Sequence, residues 1–177
     1  YDKELFIRSG AVEHLLSLGH TRIGILGGSL QTSQIVVSRY EGCKKAFEAY
    51  QVEFNPEIQY EVTFFKISEG YRAMEHLMDN VSGLSAVFAM SDVLAIGAIR
   101  AIKDRGLRVP EDISVIGFDG IDIGKYTVPR LTTIRQHREE MAIRGVEILL
   151  NSLNEDVSAV HEKEPFYLIP GESVRKL

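Results

Sequence analysis

With one cysteine in 177 residues, this chain cannot close an internal disulfide, and its stability has to come from a core of its own. Cys43 stands near Ala46 and Phe47 on an apolar-periodic stretch and reads as a small buried hydrophobe. No apolar run approaches the roughly 20 residues a membrane-spanning helix needs. There is no dense Lys/Arg tract, and the formal net charge is -5. A segment of that balance is not built to grip a nucleic acid backbone, so any DNA would be held by another segment. No signal or targeting stretch is visible, and the chain opens at Tyr1 without a methionine, which leads us to expect a piece of a longer protein.

Catalytic constellations are equally scarce. His14, His20, His76, His137 and His161 are scattered without metal-ligand spacing, and there is no G-x-S-x-G elbow. Gly27-Gly28-Ser29 lacks the lysine of a phosphate-binding loop and reads as a tight strand-to-helix turn. The expectation is a protein that is not an enzyme and uses no metal or cofactor.

What is present is a regular alternation. Leu5, Ile7, Val12, Leu15, Leu16 and Leu18 have helical spacing closed by Gly19. Arg22 to Leu26 then reads as a strand, Gly27 to Ser33 as a loop, Gln34 to Gln51 as a helix and Gln59 to Phe64 as a strand. Ser68 to Asp79 follows as a helix with Ser68 or Glu69 near its cap. Three more apolar strands come next, Ala86 to Met90, Ile113 to Phe118 and Leu131 to Arg135, with a helix from Asp92 to Arg105 between the first two. Short, nearly all-apolar strands alternating with helices predict an α/β fold with a doubly wound parallel sheet. The helix from Arg138 to about Asn154 carries an apolar stripe of Ala142, Val146, Leu149 and Leu153, with Leu150 beside it. Asn154 to Glu164 reads as a loose, charged loop, and Phe166 to Ile169 as a return strand.

Each of the three later strands stops at polar residues: Ser91 and Asp92, Asp119, and Gln136. Ligands of open α/β sheets bind outside the carboxyl ends of the strands, so these residues form a candidate binding rim. Ser91 and Asp92 also suit the N-cap of the next helix. Asp119, followed by Gly120, suits either an Asx-turn or a ligand carboxylate, and the two roles are compatible. Arg39 offers paired donors for hydroxyls, a carboxylate or a purine carbonyl, and equally suits the exposed face of an amphipathic helix.

The stretch Ser91-Asp92 through Arg-Gly-Leu-Arg-Val-Pro-Glu-Asp-Ile-Ser-Val-Ile-Gly-Phe-Asp119 resembles the signature of the lactose and galactose repressor (LacI/GalR) family. The likeness extends over Gly19 to Gly28, Arg39-Tyr40-Glu41-Gly42 and Pro129-Arg130-Leu131-Thr132-Thr133-Ile134, and so spans nearly the whole chain. It implies part of a cytoplasmic bacterial transcriptional repressor with a type I periplasmic-binding-protein-like fold, whose partner subdomain is mostly missing here. Residues 1–135 would be the C-terminal subdomain of the effector-binding core, 136–164 a helix and loop belonging to the N-terminal subdomain, and 165–177 a return strand and tail.

The family places effector contacts at positions matching Arg39, Phe65, Ser91, Asp119 and Gln136. Spacing to Gly70 selects Phe65, as a ring stacking on a sugar or base, with its neighbour Phe64 assigned to the core. Two departures bear on the pocket: Ile35 stands where some members have a hydroxyl residue, and Arg138 where lactose-type members have an aromatic. The resemblance further implies a small-molecule effector, a sugar first and a purine or sugar phosphate behind it. It also implies a homodimer, with candidate surfaces on the helix from Asp92 to Arg105 and around Tyr126, and operator DNA read by a helix-turn-helix headpiece not in this chain. The competing reading is a periplasmic or secreted sugar-binding protein of transport, which shares the core fold.

Overall fold

A computed structural model describes residues 3–154 and 166–177. In chain order the elements are α1 (Lys3–Ser17), β1 (Ile23–Gly27), α2 (Gln34–Ala49), the single-turn α3 (Pro56–Gln59), β2 (Tyr60–Val62), α4 (Ile67–Asn80) and β3 (Ala86–Ala89). They continue with α5 (Asp92–Asp104), β4 (Ser114–Asp119), a 3-10 turn (Asp122–Tyr126), β5 (Thr132–Gln136), α6 (Arg138–Asn154) and β6 (Phe166–Ile169). The strands form one sheet in the order β2-β1-β3-β4-β5-β6. Five strands run parallel, and β6 returns antiparallel along β5, pairing Phe166 with Gln136.

Two apolar layers sandwich this sheet, as its all-buried central strands require. On one face α1 and α2 bring Val12, Leu15, Cys43 and Phe47 against Ile23, Ile25, Phe88, Ile116 and Ile134. On the other, α4 and α5 bring Met74, Leu77, Leu94, Ala98 and Ile102 against Leu26, Val87 and Val115. Cys43 is buried as expected, and burial pushes its thiol up to about 12, so it stays protonated and behaves as a hydrophobe. The α4–α5 pair is unusually close: a Cβ on Gly97 would lie 2.1 Å from the Ile67 carbonyl oxygen, and one on Gly70 2.3 Å from that of Leu94. Glycine is what lets these backbones touch.

Element ends follow local chemistry. At the end of α1, Gly19 takes φ +95, and the N–H groups of Gly19 and His20 donate to the carbonyls of Leu16 and Leu15 at 3.0 and 3.1 Å. That is a Schellman closure. Helix α4 starts on Lys66 with no side-chain cap, so the expected cap at Ser68 or Glu69 is not used. They stand two and three residues past Lys66, already inside the first turn. The strand expected over Gln59 to Phe64 is shorter: Pro56 at the first helical position and Asn55 capping the Glu57 N–H at 3.0 Å wind residues 56–59 into α3, and the strand stops at Val62. Gln59 is buried there, donating to the Ile23 carbonyl at 2.8 Å. Phe64 is not core: it lies beyond the strand and is 78% exposed.

Helix α6 forms where its periodicity places it, and its large apolar side chains face outward, Leu153 being 74% exposed. The charged loop expected after Asn154 falls outside the described residues, as does the side chain of Arg138. Among the described residues, no helix is long and apolar enough to cross a membrane.

Candidate effector site

The rim forms where β1, β3, β4 and β5 end side by side, with Leu26 beside Ala89 and Asp119 beside Arg135. Arg39, on the second turn of α2, reaches over this edge. Its Nη1 donates to the Met90 carbonyl at 2.7 Å, and its Nη2 lies 3.9 Å from Asp119 Oδ1. The guanidinium also lies 3.9 Å from the centroid of the Phe118 ring. Burial pulls the Arg39 pKa down, and the Asp119 carboxylate works against that pull. The arginine is therefore half-sheltered and flat against an aromatic, with an acidic neighbour, which fixes the orientation of its donors. Sequence reasoning did not assign Phe118 or the Met90 carbonyl to the site. Their part depends on tertiary proximity, which strand alternation does not report.

Asp119 and Phe65 share a backbone feature. Among the described residues, the non-glycines with positive φ are Gln51, Phe65 and Asp119, at φ 55, 56 and 107. Two of the three are rim candidates. Such conformations cost on the order of 1–3 kcal/mol and persist where the surroundings over-determine them. Phe65 packs against the glycine that follows β1: a Cβ on Gly28 would lie 2.6 Å from its ring, so Gly28 makes room for this aromatic. The Tyr60 hydroxyl also donates to the Gly28 carbonyl at 2.6 Å.

Asp119 is held from behind by Asp92, which is fully buried. Asp92 Oδ1 accepts from the Thr133 hydroxyl at 2.5 Å, and its Oδ2 accepts from the Ile121 N–H at 2.8 Å. Thr133 Oγ1 accepts in turn from the Gly120 N–H at 3.3 Å. One carboxylate thus ties the turn that follows Asp119 to both β5 and α5. Gly117 is part of the device, since a Cβ there would lie 2.2 Å from Asp92 Oδ1. Burial pushes the Asp92 carboxyl up to about 6, against the pull of its hydrogen bonds.

Ser91 is the N-cap of α5, its Oγ accepting from the Leu94 N–H at 3.3 Å, so the capping expectation holds and Asp92 orders the adjoining turn. Gln136 closes β5 as its last residue, half-buried, and shares a cavity wall with Arg39. Ile35 is 66% exposed on the same stretch of α2. The structure therefore joins Arg39 directly to Asp119 and, through the shared wall, to Gln136, and it puts Ser91 next to the carbonyl that Arg39 binds. Phe65 stands on the neighbouring loop. Among the described residues, no group of three or more His, Cys, Asp or Glu could hold a metal ion.

Comparison with known proteins bears on this arrangement. A family model described as a periplasmic binding protein-like domain matches residues 12–174. The HTH-type transcriptional repressor PurR of Pasteurella multocida (strain Pm70) is 40% identical over 161 residues, covering 90% of this chain and 48% of that protein. The chain thus spans about half the length of the curated relatives it matches. A sugar-binding transcriptional regulator of the LacI family from Escherichia coli, complexed with phosphate, superposes with a TM-score of 0.87 at 30% identity, covering 99% of this chain and 62% of that one. A LacI family regulator from Enterococcus faecium with bound ribose gives 0.84 at 33%, covering 99% and 64%.

Proposed function

This chain belongs to the LacI/GalR family of transcriptional regulators, as part of the periplasmic-binding-protein-like effector core, and from that premise we propose that it senses a small molecule, a sugar first, at the Arg39–Asp119 rim. The observation that carries this reading is the convergence of Arg39 on Asp119, the Met90 carbonyl and the Phe118 face, beside two strained residues. A polyol would take hydrogen bonds from the guanidinium and give them to the Asp119 carboxylate, while Phe65 stacks on its apolar face. Gln136 and Ser91 supply further polar contacts, the Ser91 hydroxyl proton being free to donate while its oxygen caps α5. The relative with bound ribose supports a sugar, and the repressors among the relatives favour regulation over catalysis or transport.

In the full-length protein the sensor would act on operator DNA through a helix-turn-helix headpiece outside this chain, as part of a homodimer. Residues 1–135 with the return strand would be one subdomain of the effector core. Helix α6, with its outward apolar face, belongs against the other. The surface around Tyr126, which is 82% exposed beside exposed Ile123 and Val128, is the better dimer candidate, because α4 covers most of α5.

The test is a thermal-shift screen of the full-length protein against mono- and disaccharides, sugar phosphates and purines, with Asp119→Ala alongside. A ligand that binds the native state raises its melting temperature. A sugar hit lost in Asp119→Ala is the expected result. A hit indifferent to Asp119 removes the rim assignment, and a purine-only hit replaces the sugar.

A further inference from the structure

The rim opens onto a cavity of about 260 Å³ between α1, α2 and the sheet. Its floor is aromatic and aliphatic: Phe88, Phe118, Ile134 and Phe166 come from four neighbouring strands, with Phe118 edge-on to Phe88 and to Phe166 at centroid distances of 6.5 and 6.2 Å. Phe118 and Ile134 are register partners, so the floor is continuous. The opposite wall has the small residues Gly10 and Ala11 on α1 and Cys43 on α2, with Gln34, Ile35 and Ser38 of α2 at its exposed mouth. Large side chains below and small ones above are what leave the space unfilled.

The floor of the cavity offers no polar side chain. Among the described residues, no buried side-chain nitrogen or oxygen lacks a hydrogen-bond partner. The Cys43 thiol stays neutral. An apolar cavity of about 150 Å³ stays dry and takes up benzene. This one is larger. Its polar side chains are those of Gln34, Ser38 and Arg39 on α2 and Gln136 at the end of β5. Arg39 lies over the same Phe118 ring that floors the cavity, so rim and cavity share a side chain.

We propose that this cavity is a subsite continuous with the rim, and that the effector is a polar head carrying an aryl or alkyl group, such as an aryl glycoside, with that group seated among Phe88, Phe118 and Phe166. The identity of the head rests on the effector reading above. The apolar subsite does not, because its aromatic floor stands whatever the rim binds.

The experiment uses toluene as the apolar probe and compares phenyl β-D-glucoside with methyl β-D-glucoside. Toluene is expected to raise the melting temperature of the chain and to shift the Ile134 methyl resonance, in Asp119→Ala as in the parent. Ala11→Phe fills the space and is expected to abolish both effects while raising the melting temperature by itself. Cys43→Leu serves the same purpose if Ala11→Phe does not fold. The phenyl glucoside is expected to bind roughly tenfold or more tightly than the methyl glucoside to the full-length protein, a gain lost in the filled variant. Absence of any toluene effect overturns the subsite, whatever the glucosides do. Equal, Asp119-dependent binding of the two glucosides overturns its link to the effector while leaving the effector reading intact. Toluene binding without binding of either glucoside leaves the subsite standing and overturns glucose as the head.

Discussion

At the scale of single residues, the rim trades stability for placement, and substitutions can read the trade out. Asp119 at φ +107 carries strain that glycine would not. We expect Asp119→Gly to hold or raise stability relative to Asp119→Ala by about 1 kcal/mol in urea unfolding, while both lose effector binding. Asp92 gives a pH signature. Its folded carboxyl holds a proton up to about pH 6, above the unfolded value of 3.8, so its contribution is fully present below the unfolded value and is lost as pH rises through about 6. Asp92→Asn should therefore gain in urea midpoint relative to the parent between pH 4 and pH 7, and a constant difference over that range would contradict the assignment. The polar residues at strand ends were legible in sequence because strands stop where the apolar run stops. The strain at Asp119 and the Asp92–Thr133 bond were not, since both depend on how β4 and β5 align.

Among the elements, helices α1, α2, α4 and α5 were legible from apolar period and the central strands from all-apolar runs, because each faces a layer that demands that pattern. The β2 region was misjudged at both ends: Asn55-Pro56 imposes a helical turn that takes in Gln59, and the strand stops at Val62, before Thr63 and Phe64. The α4–α5 contact was not foreseen at all, because a glycine inside a helix says nothing of what crosses it. Gly97→Val is expected to force these helices apart and cost about 3 kcal/mol or more, seen as a lowered melting temperature without change in the far-ultraviolet spectrum of the surviving folded fraction. Helix α6 makes the opposite prediction. With Val146, Leu149 and Leu153 outward, the isolated chain should self-associate through it, and Leu149→Glu with Leu153→Glu should return it to monomer in analytical ultracentrifugation. A parent chain that is already monomeric at high concentration would count against that.

For the whole molecule, acidification sets two groups of residues against each other. His14 and His20 are held neutral by burial, with pKa values below 6.5, so the unfolded chain takes up their protons first and stability falls as pH drops below that value. Asp92 works the other way between pH 6 and 4. A urea midpoint that declines from pH 7 to 5.5, and less steeply in His20→Gln, is the expected profile. His20 also accounts for how the fold is closed, since its Nε2 bonds the Arg175 carbonyl at 2.9 Å and the Leu177 N–H donates to the Leu18 carbonyl at 3.0 Å. Ser173 is the other stitch: its Oγ donates to the Val115 carbonyl at 2.6 Å and accepts from the Thr132 N–H at 2.8 Å, while its own carbonyl takes the Val115 N–H at 2.7 Å. Residues 173–177 thus complete the hydrogen bonding of elements that come much earlier in the sequence. Synthesis reaches Ser173 only after β4 and β5 have been made, so the lower ends of those strands wait unsealed and close only when this late segment folds back across them.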